Sequence, residues 1–298
     1  LSYSLNNQLG YMVVGIGIGT ELSLNGTAAH AFAHILYKAL LFMSMGAVLY
    51  RTGTVKASEL GGLYKSMPWT TGFCIVGAMS ISAFPLLSGF VTKSMIMSAA
   101  AEEGYYAVFL VLLFASAGVM EHSGIKIPYF AFFAHDSGRR VKEAPWNMLL
   151  AMGLTAFLCI AIGVYPYPLY EILPFPVDYV PFTATHVVTM LQLLMFSVLA
   201  FAVLVRTGLY PPEMPSVNLD FDVVYRKLLP AVALRVRGAA TAVAAAFAQM
   251  ANTLSAFLLD RVLHYHGPRG VLARTWAVGS AAIWVVGLLV IYMLLYFV

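Results

Sequence analysis

The chain has 298 residues, of which 61% are hydrophobic and only 10% charged, and a net charge of +4. Soluble domains carry about 25% charged residues, so a mean hydropathy of +0.83 excludes a soluble enzyme and predicts an integral membrane protein. The basic excess needs no nucleic-acid partner, because its residues fall in patterned loops between apolar segments.

Seven apolar segments read as membrane helices, since lipid leaves the backbone few other options: 4–20, 27–50, 68–100, 105–133, 147–165, 183–205 and 272–297. The chain opens at Leu1, without an initiator Met or a signal-peptide pattern, so it is expected to be the C-terminal part of a longer chain. The second segment contains "AHAFAHILYKALLF", with His30, His34 and Lys38 spaced by four and four. On a helix these three form one gently drifting stripe roughly 12 Å long. Ionisable groups are costly in a bilayer and face a protein interior or a wet cavity. Both residue types can exchange protons, so the stripe reads as a proton file. Two other readings stay open. One is three satisfied packing residues. The other is half a zinc site, from two His at this spacing, although no third ligand is near and Lys38 would repel a metal.

The third segment is too long for one straight span and contains "SAFPLLSGFVTKS". Pro85 removes a helix donor and Gly89 frees the backbone, which predicts a helix broken at membrane depth. Such breaks mark ion or substrate sites in transporters; a plain kink is the alternative. Lys93 follows the break, where unwound carbonyls can hold its charge, although a snorkelling lysine fits the pattern too. The fourth segment carries Lys126 in "EHSGIKIPYF", which either joins the relay or pairs locally with Glu121 or His122. Cys74 and Cys159 sit in different segments and read as small buried hydrophobes, with no disulfide or metal motif. Residues 164–182 form a Pro-rich loop whose aromatic residues suit the membrane interface.

Residues 219–263 are Ala-rich with basic residues at both ends, and predict a long amphipathic helix on the cytoplasmic surface. Asp220 or Asp222 would cap it, and Pro230 would kink or restart it. An eighth span over 239–259 is the alternative. Fourteen of the 17 Lys and Arg fall in three connections: Arg51, Lys56 and Lys65; Arg139, Arg140 and Lys142; and eight between Arg206 and Arg274. The alternate connections hold Glu21, Glu102, Glu103, Glu171 and Asp178 and no base. Seven spans put all basic loops on one side, predicted cytoplasmic.

"SYSLNNQLGYMVVGIGIGT", "HAFAHILYKALLF", "GGLYKSMPWTTGFCIVGAMSISAFPLLSGFVTKSMI" and "HSGIKIPYFAFF" follow one another at short spacing. Together they resemble the antiporter-like subunits shared by Mrp-type cation/proton antiporters and respiratory complex I, and are most similar to the D-type component of the Mrp antiporters. The resemblance is specific over about 1–135 and weaker to about 205; the tail is similar to the larger complex I subunits. It implies an all-α polytopic fold with one discontinuous helix. Residues 1–135 would be the second of two inverted half-channel repeats, 136–205 further spans, and 206–298 a lateral helix and last span. His30, His34 and Lys38 would belong to a hydrated central axis, and Gly89-Phe90 would lead to Lys93 as the gate on the exit side. The first repeat's glutamate and lysine pair is not in this sequence.

The functions that follow are a proton-translocating subunit of an Mrp-type antiporter, or a pumping subunit of a complex I-like oxidoreductase or membrane-bound hydrogenase. The partners implied are the other subunits, protons with Na+ or K+, and a bacterial cytoplasmic membrane. No nucleotide, flavin, haem or iron–sulfur motif is visible, so no cofactor is expected and redox chemistry would belong to partner subunits. A membrane-embedded transferase would need acids or nucleophiles grouped at one face, which the short basic loops do not offer. A subunit kept only as scaffold would have lost Lys38 and Lys93.

Overall fold

The computed structural model describes residues 1–210, 220–275 and 277–297. The start of the predicted surface helix at Leu219, and Trp276 within the last predicted span, lie outside them. The described residues are helical with connecting loops and no strand, an all-α polytopic membrane architecture. They fall into two compact units, Leu1–Pro215 and Ser216–Val298.

In the first unit the helices are α1 (Ser2–Ile18), α2 (Glu21–Thr52), α3 (Pro68–Ile81), α4 (Ser88–Glu102), α5 (Tyr106–Phe133), α6 (Trp146–Val164) and α7 (Ala184–Arg206). Six helical stretches among the described residues are long and apolar enough to cross a membrane. Four are α2, α5, α6 and α7, and two lie in the second unit. The predicted first span is α1, whose 17 residues reach about 25 Å. The predicted third span is the pair α3 and α4.

α2 is the centre of this unit: it packs against α1, α3, α4 and α6. It begins at Glu21, six residues before the predicted start, because the Thr20 hydroxyl caps it by accepting from the Ser23 N–H. It ends at Gly53, in the left-handed conformation that glycine tolerates. Tyr37, Leu41, Val48, Cys74, Ile81, Phe132 and Cys159 meet in one core. Both cysteines are fully buried and unpaired, as small hydrophobes are. α5 runs unbroken through Pro128 because wide π-type turns at Met120–Ile125 and Tyr129–Phe133 absorb the missing donor.

The loops after α2 and after α5 are bonded to each other. Lys65 and Arg140 both pair with Asp136, at 2.8 and 2.7 Å. The Arg139 guanidinium donates to the carbonyls of Glu59 and Thr52. Gly61 is required here: a Cβ would fall 2.0 Å from the His135 carbonyl oxygen. Glu143 closes the same end by accepting from the Trp69 N–H at 2.8 Å and the Thr70 hydroxyl at 2.6 Å. It thereby caps α3 from a distant loop. At the acidic end, Asn25 exchanges two hydrogen bonds with the backbone of Phe175, at 2.9 and 3.0 Å, and pins the Pro-rich loop to the start of α2.

The second unit holds α8 (Leu229–His266) and α9 (Val278–Phe297). A π-type stretch over Val224–Leu228 leads into α8, so Pro230 sits in its first turn, where a missing N–H is harmless. This is the restart expected of Pro230. Val223 precedes the π-type stretch without a side-chain cap, and Asp222 pairs with Arg226 at 3.4 Å. The 38 residues of α8 extend about 57 Å, well beyond the ~30 Å hydrocarbon layer. Even so, the continuous stretch Val224–Ala273 is apolar enough to span. α9 begins at Val278, six residues after the predicted start of the last span.

Candidate functional site

The third predicted span is broken, as the Pro85 pattern predicts. Phe84 to Leu87 form a turn closed by the Leu87 N–H donating to the Phe84 carbonyl at 3.2 Å. Pro85 supplies the second position and Leu86 the third, at φ +70°. A turn of this kind favours glycine there, so Leu86 holds strained backbone, as does Ala83 at φ +60°. Gly89 acts differently from its sequence-based role. It lies inside α4, where a Cβ would stand 1.9 Å from the Ser80 carbonyl oxygen. It permits close approach of two half-helices rather than an unusual φ. The Ser80 and Ser88 hydroxyls bridge the gap at 2.8 Å.

Lys93 is fully buried on α4. Its ammonium donates to the carbonyl of Ile81 at 3.1 Å. Ile81 is the last residue of α3, so Lys93 meets a helix C-terminus, which favours a cation through its free carbonyls and its dipole. The same ammonium lies 4.9 Å from the Tyr11 ring centroid, a cation–π contact.

His30, His34 and Lys38 are all buried on the α2 face turned inward. The His30 and His34 rings stack with centroids 6.3 Å apart. His30 Nδ1 is 3.2 Å from the Thr92 hydroxyl, one residue before Lys93. His30 Nε2 is 3.4 Å from the Tyr37 hydroxyl, which donates to Gln8 at 3.0 Å. Lys38 donates to the Ser4 hydroxyl and lies 5.9 Å from the Phe42 ring centroid. His34 Nε2 has no hydrogen-bond partner among the described residues. The break and the stripe thus form one axis: Lys38, His34, His30 and then Thr92 beside Lys93.

Lys126 is not joined to this axis by any contact among the described residues. Its ammonium sits over the Tyr210 ring, 5.3 Å from the centroid. No ion pair links it to Glu121 among the described residues.

Sequence reasoning missed Ser4, Gln8 and Tyr11, which line the axis from α1. Their signal was spacing by four and three on one helical face. Tyr37 and Thr92 had no such signal, being single polar residues adjacent to marked ones. Thr92 also has a second bond: its hydroxyl donates to the Ser88 carbonyl at 3.0 Å. With Tyr37 donating to Gln8 and Thr92 to Ser88, both His30 nitrogens face lone pairs, and a doubly protonated ring is satisfied. When Thr92 turns its hydrogen towards Nδ1, the neutral ring is satisfied instead. One hydroxyl rotation, which exchanges the Thr92–Ser88 bond for a Thr92–His30 bond, therefore lets His30 gain or lose a proton with both ring nitrogens still satisfied.

Residues 1–120 match the family described as NADH:quinone oxidoreductase/Mrp antiporter, TM. The chain is 32% identical over 175 residues to the D component of the Na(+)/H(+) antiporter of Alkalihalophilus pseudofirmus, covering 57% of this chain and 35% of that one. It is 30% identical over 169 residues to the NADH-ubiquinone oxidoreductase chain 5 of Metridium senile, covering 55% and 28%. The chain spans about a third of the length of these two curated relatives. Its fold is similar to a chain of the membrane-bound sulfane sulfur reductase, an archaeal respiratory membrane complex, with a TM-score of 0.54 at 22% identity. That match covers 96% of this chain and 50% of the other.

Proposed function

We propose that the chain carries one proton half-channel of an antiporter-like subunit in a multisubunit membrane complex, and that the complex is a cation/proton antiporter of the Mrp type. The observation that carries the reading is a file of buried cationic residues whose partners are neutral. Lys38 meets a hydroxyl, and Lys93 meets a carbonyl and a ring. A carboxylate would fix the proton; neutral acceptors leave it free to be passed on. Residues 1–135 would form the half-channel, with Lys38 as its central lysine, Lys93 as the gate and the basic loops cytoplasmic in a bacterial membrane. Like charges in a weakly screened interior repel one another. Loading Lys38 therefore favours release from Lys93, and the coupling runs along the membrane.

The Mrp assignment rests on the likeness to the antiporter D component, at 32% identity. A second reading, a pumping subunit driven by redox partners, is favoured by the tail. The fold likeness to the respiratory chain takes in nearly all of this chain, the tail included. The test is proton movement in inverted vesicles bearing the full-length parent and its partner subunits. Discharge of a pH gradient on adding Na+ or K+, lost in Lys93→Ala, supports antiport. Proton uptake that needs an electron donor and ignores added cations supports the second reading. Normal movement in Lys93→Ala overturns both.

A further inference from the structure

α4 carries a second polar stripe that the His/Lys axis does not use. Ser94, Ser98 and Glu102 are spaced by four and four, so they share one face of α4. Burial falls off along it. Ser94 is 1% exposed, Ser98 is half-buried and Glu102 is exposed. The stripe therefore runs from the level of Lys93 to the acidic end of the unit, where Glu103 and Asp178 are also exposed.

Two observations mark it as more than packing. Among the described residues the buried Ser94 hydroxyl makes no hydrogen bond at ordinary distance, the Tyr179 phenol being its nearest candidate partner, so a visiting water would satisfy it. The Pro-rich loop also lays Tyr179 over the stripe. Ser98 donates to the Tyr179 hydroxyl at 3.3 Å, and the same phenol is in reach of Ser94 and in the field of Glu102. Tyr179 packs on the apolar cluster around Phe90, Val91 and Met95, and the Asn25–Phe175 bonds hold its loop in place. Tyr179 thus covers a row of small hydroxylated side chains whose far end is acidic.

Resting on the proton-channel reading above, we propose that Ser94 and Ser98, roofed by Tyr179 and ending at Glu102, are the outlet by which protons leaving Lys93 reach the acidic face. Lys93 and Ser94 are neighbours in sequence with no bond between them. The moving part is the four-carbon Lys93 stem, held at its tip by a single carbonyl hydrogen bond. Leaving Ile81, the ammonium passes its proton to water at the Ser94 hydroxyl, and the neutral amine returns. Ser98 and the Tyr179 phenol relay it outward by hydroxyl exchange, and Glu102 accepts it at the surface. Serines leave room for water, whereas larger apolar residues would fill the row.

The test uses the full-length parent with its partner subunits. In vesicles, Ser94→Ala combined with Ser98→Val is expected to lower proton movement by about tenfold or more at unchanged amounts of assembled complex. Tyr179→Phe, which keeps the ring, is expected to lower it by about fivefold. Separately, Ser98→Cys is exposed to a membrane-impermeant, positively charged methanethiosulfonate from each face, against the background of the buried native Cys74 and Cys159. Labelling from the acidic face alone, with loss of proton movement, is expected, because a group fixed at Ser98 would block the row through which protons leave. Lys93→Ala separates the two levels. If Lys93→Ala moves protons normally, the channel reading falls and the outlet with it. If Lys93→Ala is inactive while the serine double variant and Tyr179→Phe are fully active, or Ser98→Cys resists the reagent from the acidic face, the outlet alone is overturned. Should the double variant fail to assemble, Tyr179→Phe and the labelling decide.

Discussion

The buried axis and the basic loops of the first unit both concentrate cations and treat them in opposite ways. At the loops, Lys65 and Arg140 converge on Asp136, and Arg139 and Lys56 on Glu59. Inside, no carboxylate lies within ion-pair distance of Lys38 or Lys93 among the described residues, and their partners are a hydroxyl, a carbonyl and ring faces. The exposed pairs sit where water already screens charge, and they hold loops together. The interior cations sit where a carboxylate would compensate them best, and they have none. A buried charge kept without a counter-ion is costly, so its position is better explained by traffic than by stability.

Removing the interior cations is the strongest way to break that contrast. Lys38→Ala and Lys93→Ala are each expected to lower proton movement by about a hundredfold while the complex still assembles; proton flux beside quantitative immunoblotting checks both. Gly89→Ala attacks the geometry that brings Lys93 to Ile81. Its Cβ would drive the Ser80 backbone away, at a cost of about 1–3 kcal/mol, and proton movement should fall with the melting temperature. Thr92→Val keeps the shape and removes the hydroxyl rotor at His30. A loss of about fivefold in proton flux at unchanged thermal stability is expected.

How far these sites are legible in the sequence depends on how local their cause is. The His30–His34–Lys38 stripe and the break at Pro85 are readable because each follows from residues within two or three turns of helix. The union of stripe and break is not. Lys93 reaches Ile81, and His30 reaches Thr92, only once α4 folds back against α3 and α2. Gly89 stands out in the sequence for the wrong reason, since its close approach to Ser80 is a tertiary fact. Glu143, 74 residues beyond the α3 N-terminus it caps at Trp69, has no local signal at all. Asp222, a candidate cap in the sequence, is instead drawn into an i,i+4 pair with Arg226, a choice that sequence alone leaves open.

The loop side of the contrast predicts smaller effects. Glu143→Ala should lower stability by about 1–2 kcal/mol through loss of the α3 cap, read as a shifted melting temperature. At Asp136, bonds from Arg140, then Lys65 and then the Gly138 N–H hold the carboxyl well below the usual carboxylate range. A depressed value means that the contribution is present above the unfolded-state value and is lost as pH falls through the folded one. Wild-type stability should therefore be flat around neutrality and decline only below about pH 4. Asp136→Asn should remove that acid step in a melting series against pH, with the weakest effect at high salt.

The most direct measurement is proton flux in vesicles holding the assembled parent, with Lys93→Ala and Asp136→Asn compared side by side at matched protein levels. Flux abolished in Lys93→Ala and near wild type in Asp136→Asn is the predicted result. Equal flux in Lys93→Ala and wild type would contradict the claim that the unpaired interior lysine carries the proton.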